Sequence, residues 1–129
     1  MVLDTSAVVD HLYGIGSAQR VASLLTRSVP AAPDLLVFEV LAVARRDAAR
    51  GVIDARRSQA VVDDLGDLRI ELFPSLPLRQ RAWDLRANLT LADALFVALA
   101  EVLAEPLVTK DAALAAAASA HADVEIELV

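Results

Sequence analysis

The sequence predicts an α/β fold in which helices cover both faces of a mostly parallel sheet, giving three layers. Short apolar or alternating segments, typical of strands, are separated along the chain by segments with helical periodicity. This alternation favours a parallel sheet, because parallel neighbours need a crossover connection. Hydrophobic residues make up 57% of the 129 residues, above the usual value of about 45–50%. No linker or repeat divides the chain, so we expect a single domain over residues 1–129.

The segment Met1–Ala7 predicts the first strand and the start of the first helix. Three apolar residues lead directly into Asp4, Thr5 and Ser6, and an apolar helical pattern follows. This order is typical of a short buried strand that passes at once into a helix. Ser17 then begins a second amphipathic segment.

The next predicted elements are an extended segment and a long helix. The prolines of Val29–Pro33 favour extended backbone, because each restricts the residue before it. Asp34 is a natural N-cap for a helix from Leu35 to about Arg50, and Gly51 is suited to end that helix.

Residues 54–67 predict a more polar helix, with Val61, Val62 and Leu65 facing inward, and residues 69–73 alternate like a strand. Pro77 suits the first turn of a helix reaching about Ala87, with Trp83 among its core candidates. The remaining predicted elements are a very apolar helix at 91–104, a strand at 106–109, an Ala-rich helix at 111–120 and an edge strand at 124–128.

Composition excludes several classes of function. The net charge of −6 argues against a basic, sequence-independent nucleic-acid binder, although it allows a nuclease whose acids surround cations. The chain has no cysteine and therefore no disulfide or thiolate chemistry. Its apolar run Ala94–Ala100 ends at Glu101, far short of the ~20 residues that span a bilayer. With Asp4 and Asp10 interrupting any apolar leader, we expect a cytoplasmic protein that does not enter a membrane.

Glu39 is the most informative candidate for a functional residue. It is the only polar side chain among the ten residues from Leu35 to Ala44. A carboxylate in so apolar a helix is costly unless it is paired or bound to a metal. The structural alternative is that Glu39 points to solvent.

Three further acids, Asp4, Asp93 and Asp111, each stand at a predicted helix start. Each has an ordinary explanation: Asp4 and Asp111 as N-caps, and Asp93 as part of a capping box with Thr90. Capping does not explain why all three, with Glu39, fall where a doubly wound sheet would bring them to one edge.

Carboxylates gathered at one edge repel one another, and hard divalent cations relieve that repulsion. An oxygen-only ligand set selects Mg²⁺, or Mn²⁺, over zinc. Two such ions ~3.5–4 Å apart suit in-line attack of water on a phosphodiester. The sequence therefore predicts a metal-dependent phosphodiester hydrolase.

Four segments, in order along the chain, resemble the motifs of PIN-domain ribonucleases, and most nearly the VapC-like toxins of type II toxin–antitoxin systems. These segments are Val2–Ala7, Pro33 with Glu39, Leu85–Ala94 and Leu107–Asp111. The resemblance covers essentially the whole chain. One departure is Ala92, where many relatives carry an aromatic residue before the aspartate; it concerns substrate contacts, not the acids.

The resemblance implies a PIN-like fold with a five-stranded parallel sheet and Mg²⁺-dependent cleavage of single-stranded RNA. It also implies a growth-arresting toxin, inhibition by a cognate VapB-like antitoxin, and a homodimer. By family position, Asp4, Glu39, Asp93 and Asp111 would form the catalytic and metal-binding site. Ser6 and Thr109 would be supporting hydroxyls.

Two other functions remain open from the residues. A phospho-accepting signalling domain would need an aspartate after its third strand, where this chain has Phe73, Pro74 and Ser75. A non-catalytic PIN-like interaction module would not need all four acids. The basic stretch of Arg45, Arg46 and Arg50 is compatible with a solvated helix face, phosphate contact or pairing with an acidic partner.

Overall fold

The computed structural model describes residues 1–129 and contains one five-stranded, fully parallel sheet. Its strands are β1 Val2–Leu3, β2 Ala31–Pro33, β3 Glu71–Phe73, β4 Leu107–Thr109 and β5 Ile126–Leu128. They lie in the order β3-β2-β1-β4-β5. The first strand is therefore central and the last is at an edge, which confirms the parallel sheet and the edge position of the C-terminal strand.

The α-helices connecting the strands are α1 Thr5–Tyr13, α2 Ala18–Leu25, α3 Leu35–Ala49, α4 Ala55–Asp67, α5 Arg79–Asp84, α6 Leu91–Leu103 and α7 Ala112–His121. Helix α6 packs across β2, β1 and β4, and α5 packs on α6. Helix α1 contacts α2, α3 and α4, which form a second group. These two groups cover the sheet in the three-layer arrangement that the alternating sequence predicts.

Burial explains why the central strands are purely apolar. Val2 and Leu3 of β1 and Val108 of β4 are all 0% exposed, because strands of a parallel sheet are covered on both faces. The edge strands are more polar, and Glu71 of β3 is exposed.

All of the parallel strands end at the same edge of the sheet, which we call the carboxyl rim. Strand β1 ends at Leu3, immediately before Asp4, and β4 ends at Thr109, two residues before Asp111. In open α/β sheets, ligands bind outside this edge.

Asp34 was predicted to cap α3, and this prediction is wrong. It occupies the residue before the helix, but its side chain makes no capping bond. Its Oδ1 accepts hydrogen bonds from the Ser75 backbone N–H (3.2 Å) and the Ser75 hydroxyl (2.5 Å) instead. A contact with the loop after β3 thus replaces the local cap.

Two predicted core residues are exposed. Val62 is 42% exposed, because its neighbour Val61 takes the buried face and consecutive helical residues point about 100° apart. Trp83 is 54% exposed, with the Arg86 guanidinium carbon 4.5 Å from its ring centroid. Its helix is also shorter than predicted: a 3₁₀ turn at Leu76–Leu78 precedes α5, which ends at Asp84 rather than near residue 87.

No helix combines the length and the hydropathy needed to span a bilayer.

Candidate metal centre at the carboxyl rim

Asp4 is held at the end of β1 by hydroxyl groups from two elements. Its Oδ2 accepts hydrogen bonds from the Ser6 hydroxyl (2.5 Å), the Ser6 backbone N–H (3.2 Å) and the Thr109 hydroxyl (2.9 Å). Thr109 is 0% exposed and Asp4 is 5% exposed. Asp4 therefore caps α1, as predicted, and also accepts a hydrogen bond from a distant element, the end of β4. Its Oδ1 accepts no hydrogen bond from the protein.

Glu39 points back from α3 toward the start of α1. The Thr5 hydroxyl donates to its Oε1 at 2.8 Å, and Glu39 is half-buried. The alternative of a Glu39 facing bulk solvent is therefore not what the structure shows. Thr5 is a residue that the sequence analysis did not assign. Its position at a predicted helix start, next to Asp4, was the available indication in the sequence. A hydroxyl group there can donate a hydrogen bond to a nearby carboxylate as well as cap the helix.

Asp93 lies in the first turn of α6, and Asp111 is the residue immediately before α7. The Thr90 hydroxyl caps α6 by accepting from the Asp93 backbone N–H at 3.1 Å, so Asp93 itself does not have to cap. Asp111 does cap: its Oδ1 accepts from the backbone N–H groups of Ala113 (2.8 Å) and Leu114 (3.0 Å). The Asp111 carboxylate is thus held by its own capping bonds, whereas Asp93 is placed through its backbone in the helix that Thr90 caps.

All four predicted acids line a single open cleft of about 290 Å³ at the carboxyl rim. We call these acids, Asp4, Glu39, Asp93 and Asp111, the acid cluster. The remaining lining residues are Thr5, Ser6, Val9, Val43, Arg46 and Lys110. Of the basic stretch on α3, Arg46 is the residue that lines this cleft, whereas Arg45 lines a separate depression between α3 and α4.

Burial and, to a smaller extent, the charges of neighbouring acids raise the pKa values of two members of the cluster. Burial raises the pKa of Glu39; its Thr5 hydrogen bond opposes this, and the charges of Asp4 and Asp93 raise the pKa further. Burial likewise raises the pKa of Asp93, opposed by Thr90 and reinforced by Asp4 and Asp111. Glu39 is therefore within electrostatic range of Asp4 and Asp93, and Asp93 is within range of Asp4 and Asp111. No ion pair with a cation of the chain involves any of the four acids.

The donor chemistry of the cluster fits a hard divalent cation. Asp4, Glu39 and Asp111 each have one oxygen held by a protein donor and one oxygen that accepts no protein hydrogen bond. Ligating carboxylates are commonly oriented in this way by outer hydrogen bonds. As the side chains stand, no three acidic or histidine groups are arranged to hold a metal ion.

A three-layer parallel α/β fold with acids gathered at the carboxyl rim defines the class of this protein. The family model described as "PIN domain" matches residues 1–120, and the chain belongs to the PIN domain family.

The similar curated proteins narrow that class. The chain is 40% identical over 127 residues to Ribonuclease VapC1 of Mycobacterium tuberculosis strain H37Rv, covering 97% of this chain and 96% of the relative. It is 34% identical over 126 residues to Ribonuclease VapC12 of the same strain, covering 98% of each. The chain is thus a VapC-like member of the family, as the ordered motifs predict.

A solved structure confirms the fold by a separate route. The crystal structure of FitAcB from Neisseria gonorrhoeae superposes with a TM-score of 0.66, covering 97% of this chain and 94% of that chain, at 18% sequence identity. At this identity, the likeness concerns the fold alone.

Proposed function

We propose that this protein is a divalent-metal-dependent endoribonuclease that cleaves single-stranded RNA and acts as the toxin of a toxin–antitoxin pair. The observation that carries the proposal is the acid cluster: four carboxylates from distant parts of the sequence in one cleft. The names of the similar VapC proteins support ribonuclease activity. We further propose that residues 1–129 act as a single domain.

In this proposal the four acids share one task, and two neighbouring hydroxyl groups have another. Asp4, Glu39, Asp93 and Asp111 would hold Mg²⁺, for which Mn²⁺ could substitute. When bound, the divalent cation makes a water molecule more acidic and stabilises negative charge on the phosphodiester. Ser6 and Thr109 are supporting hydroxyls that orient Asp4, to whose Oδ2 both donate hydrogen bonds.

Thr5 holds Glu39 in the same way. This bond matters because Glu39 comes from α3, a helix that is otherwise apolar near this residue. Removing the Thr5 hydroxyl would leave the carboxylate without its one protein donor. We therefore add Thr5 to the positioning residues of the site.

The proposed partners are a cognate VapB-like antitoxin and a second copy of this chain. Large apolar side chains on the outer face of α3 support a protein partner: Phe38 is 68% exposed, and Val37 and Leu41 are also exposed. Contiguous exposed apolar surface marks interaction sites more often than chance. We propose that the protein works in the cytoplasm.

The test of the nuclease is cleavage of a labelled single-stranded RNA with Mg²⁺, with EDTA, and by the variants Asp4→Asn and Asp93→Asn. Chelation should abolish cleavage. The cleavage rate of each variant should fall about a hundredfold or more, since mutating even an outer-shell partner of a metal ligand typically lowers metal affinity or activity about 10–100-fold. Asp64→Asn on the exposed face of α4 is the matched control and should cleave like the wild type. Cleavage that is unchanged in Asp4→Asn and Asp93→Asn would exclude this site.

The toxin role is tested in cells. Expression of the wild-type chain should arrest growth, expression of Asp93→Asn should not, and co-expression of a small antitoxin encoded beside the gene should restore growth. Growth arrest by both chains would show that the arrest does not depend on the acid cluster.

A further inference from the structure

Lys110 is the single lysine of the chain, and it stands between two clefts at the carboxyl rim. One is the cleft of the acid cluster. The other is lined by Asp10, Gly16, Ser17, Arg20, Lys110 and Val129. The Lys110 side chain is 42% exposed, and its Nζ forms an ion pair with Asp10 Oδ1. The nuclease proposal uses neither residue.

Asp10 lies in a pocket shaped around its carboxylate. It is 1% exposed, and its Oδ2 accepts hydrogen bonds from the backbone N–H (2.9 Å) and hydroxyl (3.1 Å) of Ser17. Gly16 has φ +52°, and a Cβ atom there would lie 2.2 Å from Asp10 Oδ2. Only glycine allows this turn to close over the carboxylate, so Asp10 is held rigidly.

The backbone of Lys110 is tied to the acid cluster, while its ammonium points away. The Lys110 backbone N–H donates to the Ser6 hydroxyl at 3.3 Å, and that hydroxyl donates to Asp4. Lys110 also directly precedes Asp111. Without a competing anion, an ammonium on a flexible four-carbon stem beside this many carboxylates would pair with them.

The second cation of the cleft shows the same arrangement. Arg46 also lines the acid cleft, and its Nε pairs with Asp47 Oδ1 at 3.4 Å, outside the cluster. Asp47 is itself held by the Tyr13 hydroxyl at 3.0 Å. Both cations that line the cleft are thus paired with acids outside it, and the cluster is left without a counter-ion from the chain.

We propose that Asp10 is a positioning residue that holds the Lys110 ammonium away from the acid cluster. In that position the ammonium contacts an RNA phosphate beside the bond that is cleaved. The cluster stays available to Mg²⁺ because the two cations that line its cleft, Lys110 and Arg46, are paired with Asp10 and Asp47. Lys110 can serve both partners, since an ammonium has three N–H donors. This inference rests on the nuclease proposal. It adds a contact between Lys110 and the substrate, and it names Asp10 as the residue that positions Lys110.

The decisive experiment is calorimetric titration of the metal-free protein with Mn²⁺. In Asp10→Asn, whose amide oxygen still accepts from Ser17, the freed ammonium should compete for the carboxylates and weaken Mn²⁺ binding about fivefold. In the double variant Asp10→Asn/Lys110→Met the competitor is gone, so binding should return to the wild-type value. A merely structural role for Asp10 predicts no such recovery.

A second variant covers the case in which Asp10→Asn does not fold. Lys110→Met alone should bind Mn²⁺ at least as tightly as the wild type, and clearly weaker binding would overturn the proposal. Equal Mn²⁺ affinity in wild type and folded Asp10→Asn would also overturn it, while leaving the nuclease proposal intact. A wild type that neither binds Mn²⁺ nor cleaves RNA would instead remove the nuclease proposal itself.

The phosphate contact is tested by the KM for single-stranded RNA. Lys110→Met should raise KM about five- to tenfold and reduce the salt dependence of log KM by about 0.7, the value for one phosphate contact on a single strand. Lys110→Arg should restore much of the affinity. Arg27→Met is the matched control, because Arg27 lies in the segment before β2, at the opposite edge of the sheet, and it should leave KM unchanged. A KM that is unaffected by Lys110→Met would refute the contact.

Discussion

Two groups of acidic residues in this protein differ in what neutralises them. Glu101 on α6 accepts two hydrogen bonds from the Arg81 guanidinium, at 2.7 and 2.8 Å. Asp10 on α1 is paired with Lys110. The hydrogen bonds from Arg81 lower the pKa of Glu101. Burial alone would raise the pKa of Asp10, but Lys110 and Ser17 together lower it. The acid cluster has no such partners, and the pKa values of Glu39 and Asp93 are raised.

This difference separates acids that the chain neutralises with its own cations from acids that it leaves without a counter-ion. The paired acids stabilise the folded chain by themselves, because their counter-ions are supplied by neighbouring helices and loops. The acid cluster costs stability unless a cation from outside the chain is added. The partners seen in the structure therefore distinguish these acids, since Glu101 and Asp10 are paired with cations and the acid cluster is not.

The largest effect should come from supplying the missing cation. At a free Mn²⁺ concentration 100 times the dissociation constant, the free energy of unfolding should rise by about 2.7 kcal/mol. Thermal melts with and without Mn²⁺ measure this rise. Mn²⁺ should raise the free energy of unfolding of Asp93→Asn much less. An equal rise in that variant would place the ion outside the acid cluster.

Removing an internal counter-ion should give a somewhat smaller effect of opposite sign. Arg81→Met leaves Glu101, whose side chain is 17% exposed, without its guanidinium, and we expect a loss of about 2 kcal/mol. Urea unfolding measures the loss. Arg79→Met is the control, because Arg79 bonds a single backbone carbonyl, that of Leu76. If both variants unfold at the same urea concentration, the Arg81–Glu101 pair contributes no more than an exposed contact.

Relieving repulsion within the cluster should have the smallest effect. In metal-free protein, Asp93→Asn should raise the free energy of unfolding by about 0.5 kcal/mol, a value reduced for solvent screening. Because the pKa of Asp93 is raised on folding, the penalty is absent below the unfolded pKa and develops as pH rises through the folded pKa. The advantage of Asp93→Asn should therefore be present at pH 7 and shrink toward pH 4.

Asp111→Ala provides the contrast to Asp93→Asn. Asp111 caps α7 through two backbone N–H groups, so its loss should cost about 1 kcal/mol. The same thermal melts compare the two variants. A rise in melting temperature for both would mean that repulsion outweighs capping even at Asp111.

Much of this architecture was predictable from local pattern. Val2 and Leu3 directly before Asp4, and Leu107–Thr109 before Asp111, identified strands and the acids that follow them, because apolar runs and helix starts are short-range signals. Helix α6 matched its predicted bounds to within a residue, since it is apolar on nearly every side.

Side-chain partners across the fold were not predictable in the same way. The burial of Asp10 and its pairing with Lys110 join residues 100 positions apart, and no local pattern marks Asp10. Trp83 was assigned to the core by its type, yet α5 leaves it exposed beside Arg86. Asp34 was predicted to cap α3, but its side chain accepts hydrogen bonds from Ser75 in the loop after β3.

The sequence by itself determined the order of strands and helices and the acids that stand at helix starts, because both depend on neighbours along the chain. Composition alone determined the absence of thiol chemistry. Only the tertiary structure decided which acids are neutralised. Parallel strand pairing brings Asp4 and Asp111 to one rim, and α3 carries Glu39 to the same cleft. Lys110, which also lines this cleft, forms its ion pair with Asp10 instead. Charge interactions depend on distances in space, and those distances exist only once the helices are packed on the sheet.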